Sequence, residues 1–449
     1  MFARPGALAL AAALLAACSV QPQRPTPAPP LAPPPPPVAP APPVATAPEV
    51  PSIEPGSEIA SPWPRLRSRF AMTTCDYRPQ VIRWAKRYTA SPRRFAAGWE
   101  NAMPFLLIVV DEIERRNLPG EFAMLPYVES SYEPVASRGD RPAGMWQLVP
   151  RTARAEGVMI DADYDGRLDA AASTTAALAL IDRYQKEFGD WRLADMAFNS
   201  GEYRVKNLLR GRDAHSLTAA ELGKLSFNPI THDHLDRLLA LACVISDPAR
   251  FNVTLPEPTQ ADRLETVELE AGMDVRLAAR LAGLDAAEMR RYNAGYRRNR
   301  MPAGGPHRLM IPANRVAEFE TAALAVPVAY WNEWREQRAA RTSGIGSFAA
   351  EVGVPVTVLA LANGVGEETT VLPSTQLLLP GRDPAIDTSS SAPDELERSR
   401  VHVVKSGDSL SSIAHRYEIP LTQLKRLNPS AKGLLHPGDR VQVGAADTD

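Results

Sequence analysis

Apolar positions recur every three or four residues through the middle of this 449-residue chain, then give way after Pro256 to short units broken by turns. Phe105, Leu106, Val109, Val110 and Ile113 share one helical face, and Leu118-Pro119-Gly120 stops the helix that carries them. Ala177, Leu180, Ile181, Tyr184 and Phe188 make a second stripe. It is closed by Gly189, a residue that accepts the left-handed conformation ending a helix. Leu235, Leu238, Leu239, Ala242 and Ile245 make a third before Pro248. No strand alternation interrupts residues 62–252, so this stretch is predicted to be a mostly α domain with its own core.

The last unit, residues 400–444, reads as β-α-α-β. Val401-His402-Val403-Val404 has strand character, and Lys405-Ser406-Gly407-Asp408-Ser409 is a turn and helix cap. Leu410, Ile413, Ala414 and Tyr417 line one helix; Leu421, Leu424 and Leu427 line a second, ended by Asn428-Pro429. Pro437-Gly438-Asp439 turns into a final strand from Arg440 to Val443. Weaker copies occupy 262–313 and 330–382, and a polar, Ser-rich stretch at 383–399 reads as a linker. The expected architecture is multidomain: a mostly α domain followed by small α+β modules of βααβ order.

The N-terminus differs in composition. Arg4 precedes an apolar run from Ala7 to Ala17, shorter than the roughly 20 residues that span a bilayer, so residues 1–17 read as a signal peptide. The run ends in Leu15-Ala16-Ala17-Cys18, which resembles a bacterial lipobox, with Cys18 as the lipidated residue. Ser19 follows, and a residue other than Asp there points to the outer membrane. Sixteen of the 43 prolines lie between Pro22 and Pro55, which makes 18–58 an extended, disordered linker without core-forming residues. The remaining cysteines, Cys75 and Cys243, lie near the two ends of the α domain. Either a disulfide or two separate buried thiols fits them.

A formal net charge of -2 offers no basic stripe for nucleic acid. The seven histidines show no metal-ligand spacing, and neither a phosphate loop nor a nucleotide fingerprint is present, so no cofactor is expected. Candidate chemistry centres on Glu129, within Leu125-Pro126-Tyr127-Val128-Glu129-Ser130-Ser131-Tyr132. A carboxylic acid among apolar and aromatic neighbours is expected to stay protonated near neutrality and to serve as a general acid toward a glycosidic oxygen. Two further blocks follow in order, Ala143-Gly144-Met145-Trp146-Gln147 and Ala197-Phe198-Asn199-Ser200-Gly201.

These blocks, with Tyr164-Asp165-Gly166-Arg167-Leu168-Asp169, Ala172-Ser173-Thr174-Thr175-Ala176-Ala177 and Phe188-Gly189-Asp190-Trp191, resemble the lysozyme-like lytic transglycosylases of bacterial cell walls, most closely those of the membrane-bound murein transglycosylase D type. The last unit resembles a LysM module, a small fold that binds N-acetylglucosamine chains. The resemblance implies a lipid-anchored enzyme on the periplasmic face of the outer membrane that acts on peptidoglycan glycan strands. It makes Glu129 the single acid/base that cleaves the β-1,4 bond between N-acetylmuramic acid and N-acetylglucosamine and leaves a 1,6-anhydro end.

By the same resemblance Ser130, Ser137, Gly144, Met145, Trp146, Gln147, Phe198, Asn199 and His234 belong to the substrate site. Gly407, Asp408, Ser409, Leu410, Asn428 and Pro429 belong to the glycan contact of the last module. Three positions depart from the family pattern: Phe198 and His234 each replace a Tyr, and Arg138 a Ser, with Ser137 next to it. Asp165, Arg167 and Asp169 read as a structural ion-pair or capping cluster rather than as a second catalytic carboxylate. A hydrolytic muramidase, or a wall-binding scaffold with weakened catalysis, remains the alternative at this stage.

Overall fold

A computed structural model describes residues 59–445, apart from 73, 213–216, 303, 382–398, 406–407, 418, 429–434 and 436–437. Residues 1–58, including Cys18, lie outside the described residues, as do Gly407, Pro429 and nearly all of the 383–399 linker. Ser399, the last residue of that linker, already belongs to a strand.

The first domain is helical: α1 (Pro62–Arg67), α2 (Pro79–Tyr88), α3 (Pro92–Arg116), α4 (Leu125–Ser130), α5 (Pro150–Ala155), α6 (Ala170–Phe188), α7 (Trp191–Ser200), α8 (Glu202–Leu209), α9 (Ala219–Leu222) and α10 (Pro229–Ser246). Proline opens α1, α2, α3, α5 and α10, where its missing N–H costs nothing and its fixed φ suits the first turn. Asn117, at φ 54°, closes α3 just ahead of Leu118-Pro119-Gly120. Asp169 and Asp190 cap α6 and α7 by accepting from backbone amides, and Gly189 ends α6 at φ 70°. The three apolar stripes read from the sequence meet in one core, with Phe105, Leu106, Ile113, Leu180, Ile181, Leu238 and Leu239 all buried. A disulfide joins Cys75 to Cys243 across 168 residues, which resolves the two alternatives in favour of the clasp.

Three βααβ modules follow. The first is β1 (Leu264–Glu268), α11 (Val275–Leu281), α12 (Ala286–Tyr292) and β2 (Arg308–Pro312), followed by a further helix outside the βααβ pattern, α13 (Ala313–Ala325). The second is β3 (Trp334–Arg338), β4 (Ser343–Gly344), α14 (Ile345–Glu351), α15 (Val356–Asn363), β5 (Thr370–Val371) and β6 (Gln376–Pro380). The third is β7 (Ser399–Val403), α16 (Leu410–Arg416), α17 (Leu421–Leu427) and β8 (Arg440–Ala445). In each, first and last strands pair antiparallel.

One asparagine at the end of the second helix braces each module. The Nδ2 of Asn293 donates to the carbonyls of Met289 and Met310, and its Oδ1 accepts from the Met310 amide. Asn363 does the same with Leu359 and Leu378, and Asn428 with Leu424 and Gln442. The side-chain amide of Asn428, expected at the glycan contact, is thus engaged within the fold. Asp408 is similarly engaged: it accepts from the Lys405 amide and from Nε2–H of His402, which hold its carboxyl down at about 2, and lies 3.1 Å from Arg416. Ser409 caps α16 through the Ser412 amide, and Leu410 packs against the small core of the module.

The first module is welded to the helical domain. Asp165 pairs with Arg167 through two nitrogens, both side chains 2% exposed, and also receives Arg297 of the module at 2.8 Å. The Asp165 amide donates to Gly295 and the Arg297 amide to Asp163, while Arg308 pairs with Asp169. Any side chain at Gly295 would stand 2.7 Å from the Tyr164 ring, so only glycine allows this approach. Tyr292 and Met310 enter the core of the helical domain, and Tyr164 enters the core shared by the first two modules.

Two stability effects follow. Removing the disulfide with Cys75→Ser/Cys243→Ser frees a long loop and should lower stability by about 2–5 kcal/mol. Calorimetry should show a clear drop in the midpoint of the helical domain, and an unchanged midpoint would mean that the bond contributes nothing. Asp165→Ala strands the buried Arg167 guanidinium and should cost about 3–5 kcal/mol, measured as a lowered urea midpoint; a loss under about 1 kcal/mol would place the pair among weak surface contacts.

Candidate active site

Glu129 sits one residue from the end of α4, a six-residue helix. The chain reverses there through two consecutive positive-φ residues, Ser131 (56°) and Tyr132 (66°). That costly geometry is held by Tyr132, which is fully buried and donates its hydroxyl to the Ala123 carbonyl. The turn leaves the Glu129 side chain 18% exposed, in reach of both solvent and protein.

The protein side is supplied by α10. His234 is buried, and its Nε2 lies 2.9 Å from Glu129 Oε1. Its other nitrogen, Nδ1, lies 3.2 Å from Oδ2 of Asp195 on α7, a carboxylate with no exposed surface. Burial alone would disfavour the charged ring, but Asp195 and then Glu129 outweigh it and push His234 up to about 10. One turn along α10, Arg237 donates to the carbonyl of Val128, the residue before Glu129, and to the Tyr88 hydroxyl. Helix α10 therefore grips α4 by backbone and side chain together. Tyr127 of the same helix stacks on Trp99 with ring centroids 4.4 Å apart and contacts Tyr88 edge-on.

The expected apolar setting of Glu129 is thus corrected: its nearest polar neighbour is an imidazole. His234 is the departure from the family pattern expected at this site, whereas Asp195 belongs to none of the motif blocks that carry the resemblance. The signal for Asp195 was an acidic residue inside the apolar run Leu193-Ala194-Asp195-Met196-Ala197, where an unpaired charge would not be tolerated.

The other expected site residues divide. Ser130 Oγ donates to the Met145 carbonyl, which ties the 144–147 block to the residue beside the acid. Trp146 and Met145 are buried in the core, and Trp146 donates Nε1–H to Thr174. Gly144 serves the interior as well: at φ 78° a Cβ there would lie 1.7 Å from the Arg167 carbonyl, so the glycine admits that carbonyl. Gln147, half-buried at φ 46°, donates to the Gly144 carbonyl. Phe198 packs edge-on against Trp146. Asn199, one turn after Asp195, is partly exposed, and its side chain forms no hydrogen bond among the described residues. Ser137 donates to the Arg141 carbonyl and closes a local turn.

The rival carboxylates are engaged elsewhere. Glu133 accepts from Asn101 and pairs with Arg291, Asp165 and Asp169 belong to the inter-domain cluster, and Asp140 is exposed on a turn. Asp195 is near, but the His234 ring stands between it and Glu129. A retaining glycosidase needs a second carboxylate about 5 Å from the acid and open to the sugar; Glu133, Asp165, Asp169 and Asp195 are each committed to partners within the protein.

Comparison with known proteins accords with this geometry. Residues 108–218 match the transglycosylase SLT domain, 263–327 the LysM-like domain of lytic transglycosylase MltD, and 402–444 the LysM domain. The membrane-bound lytic murein transglycosylase D of Escherichia coli K12 is 30% identical over 350 residues, 76% of each chain, and that of strain O6:H1 matches equally. A putative tributyltin chloride resistance protein of an Alteromonas species is 44% identical over 105 residues, 23% of this chain and 51% of that one. With an SLT domain followed by LysM units, and that identity to transglycosylase D over most of both chains, the chain belongs to the membrane-bound lytic murein transglycosylase D family.

Proposed function

We propose that Glu129 cleaves peptidoglycan glycan strands alone, first as acid and then as base. It protonates the glycosidic oxygen between N-acetylmuramic acid and N-acetylglucosamine, and the bond to the anomeric carbon breaks. The carboxylate left behind takes the proton of the muramoyl 6-hydroxyl, whose oxygen closes on the same carbon. The products are a free 4-hydroxyl and a 1,6-anhydro end, and no water is consumed. The sugar's own 2-acetamido group supplies the stabilisation that a second carboxylate would otherwise give. The observation that carries this reading is a carboxyl group still 18% exposed, gripped from behind by α10 and separated from the Asp195 carboxylate by an imidazole.

Substrate contact falls to Glu129, Asn199 and the exposed edges of Gln147 and Phe198, while the LysM module holds the polymer and raises the local concentration of strand at the cleft. The Leu15-Ala16-Ala17-Cys18 motif supports attachment through lipid on Cys18 at the periplasmic face of the outer membrane. Among the described residues no single helix is long and apolar enough to cross a bilayer.

The chemistry is tested by mass spectrometry of muropeptides released from purified sacculi by protein lacking residues 1–58. Products one water lighter than hydrolytic ones are expected, with release reduced at least 10²–10⁴-fold in Glu129→Gln. Reducing-end products would establish a hydrolase, and full turnover in the variant would remove Glu129 from the mechanism. For the anchor, labelled fatty acid should enter the wild-type chain and not Cys18→Ser, which should fractionate as soluble; membrane retention of that variant would refute lipidation at Cys18.

A further inference from the structure

The hydrogen-bond pattern around His234 fixes more than the position of Glu129. Both ring nitrogens face carboxylate oxygens, Asp195 on one side and Glu129 on the other. An ionised carboxylate only accepts hydrogen bonds, so Nδ1 must carry a hydrogen toward Asp195, and one further proton must lie between Nε2 and Glu129 Oε1. With that proton on Nε2, Glu129 is a carboxylate beside an imidazolium. With it on Glu129, the ring is neutral and Glu129 is the acid. The two forms carry the same number of protons, so their ratio does not change with pH. A tyrosine, which the family resemblance places at this position, donates a hydrogen bond but stores no such proton.

We propose that Asp195 and His234 form a buried proton-holding dyad that positions Glu129 by Oε1 and keeps its catalytic proton within the protein. This rests on Glu129 being the acid/base. His234 acts through Glu129 and does not touch the sugar. The stored proton moves from Nε2 to the carboxyl group, and rotation about the Glu129 Cγ–Cδ bond turns it toward the cleft. When it passes to the glycosidic oxygen, the three-residue cluster goes from one net negative charge to two, facing the cationic sugar. The 6-hydroxyl proton then refills the same store, so the cycle balances without exchange with bulk water.

The surroundings suit the task. Asp195 is fully buried and its Oδ1 has no hydrogen-bond partner among the described residues, so its charge is directed at the ring. The other charged groups nearby are Asp233, Asp236 and Arg237 on α10 itself, with Arg78 at the start of α2 3.6 Å from Asp236. Arg237 and Asp233 are turned to Tyr88, the Val128 carbonyl and Trp84. Asp236 is pushed up to about 6, by burial above all, and is therefore a weak competitor for the ring in acid. The raised titration of His234, about 10, agrees with a proton retained through the neutral range.

The test is the pH dependence, from pH 6 to 9, of anhydro-muropeptide release by the protein lacking residues 1–58. The wild-type rate should stay within about twofold across the range. His234→Gln keeps a donor to Oε1 but no store, so the carboxyl group must take its proton from solvent. Its rate should fall about tenfold per pH unit, roughly 10³-fold between pH 6 and 9. Asp195→Asn should bring the ring back toward its ordinary titration near about 6.5 and move the falling limb to neutrality.

Profiles of both variants that superimpose on the wild type overturn the dyad, while loss of all turnover in Glu129→Gln in the same assay leaves the reading beneath it standing. Should either variant fail to fold, His234→Tyr serves in its place with the same expectation as His234→Gln. Independently of activity, nitrogen NMR of histidine-labelled wild type should show the His234 ring still titrating above pH 9; a ring neutral at pH 7 beside an ionised Glu129 overturns the proposal. Stability carries the same sign. The raised titration stabilises the fold fully below pH 6.5 and that gain is lost as pH rises through about 10. The melting-temperature gap between wild type and His234→Gln should therefore narrow across that window.

Discussion

Helix α10 has almost no solvent face. From Leu238 to Ile245 every residue is buried, and the first half of the helix carries His234 and Asp236 into the same interior. A helix can be sunk this deeply only if its polar side chains find partners, since an unpaired buried charge costs far more than the packing around it returns. The partners are Glu129 and Asp195 for His234, Arg78 for Asp236, and Tyr88 with the Val128 carbonyl for Arg237. The Cys75–Cys243 bond ties the same helix to the segment that opens α2. The active site is thus what the buried helix requires of its neighbours, and the short α4 is held in an unfavourable turn because α10 grips it there.

The helices were legible because their information is local. Period, proline at the first turn, and an Asn or Gly at the last are written within ten residues of where they act. The third module was legible for the same reason: strand, cap and two short stripes follow in order. What lay beyond reach was each partner distant in sequence. Asp195 and His234 are 39 residues apart and Glu129 a further 66 from Asp195, and no pattern announces which buried acid meets which base. The glycine-flanked block carries a second role that no local pattern announces. The glycine admits the Arg167 carbonyl and the tryptophan fills the core beneath. They shape the site from the inside.

The modules form a graded series in their attachment. The first shares core residues with the helical domain and contributes Arg297 and Arg308 to its ion pairs. The second shares a single core with the first. The third keeps its own small core and touches α13 through polar contacts, Lys425 with Glu320 and Arg426 with the carbonyls of Ala323 and Val326. Shared apolar cores make the first two extensions of the enzyme; the third retains the independence of a domain.

The asparagine brace explains how such division of labour can arise within one repeated fold. A single amide side chain closes each module, using its oxygen and nitrogen to join the second helix to the last strand. The turn before the first helix takes no part in it and reads differently each time: Gly272-Met273-Asp274, Thr342-Ser343-Gly344, Asp408-Ser409. The brace is therefore fixed while the turn is left to vary. One repeated scaffold can thus stand either as a buttress fused to the catalytic domain or as a unit resting on a core of its own.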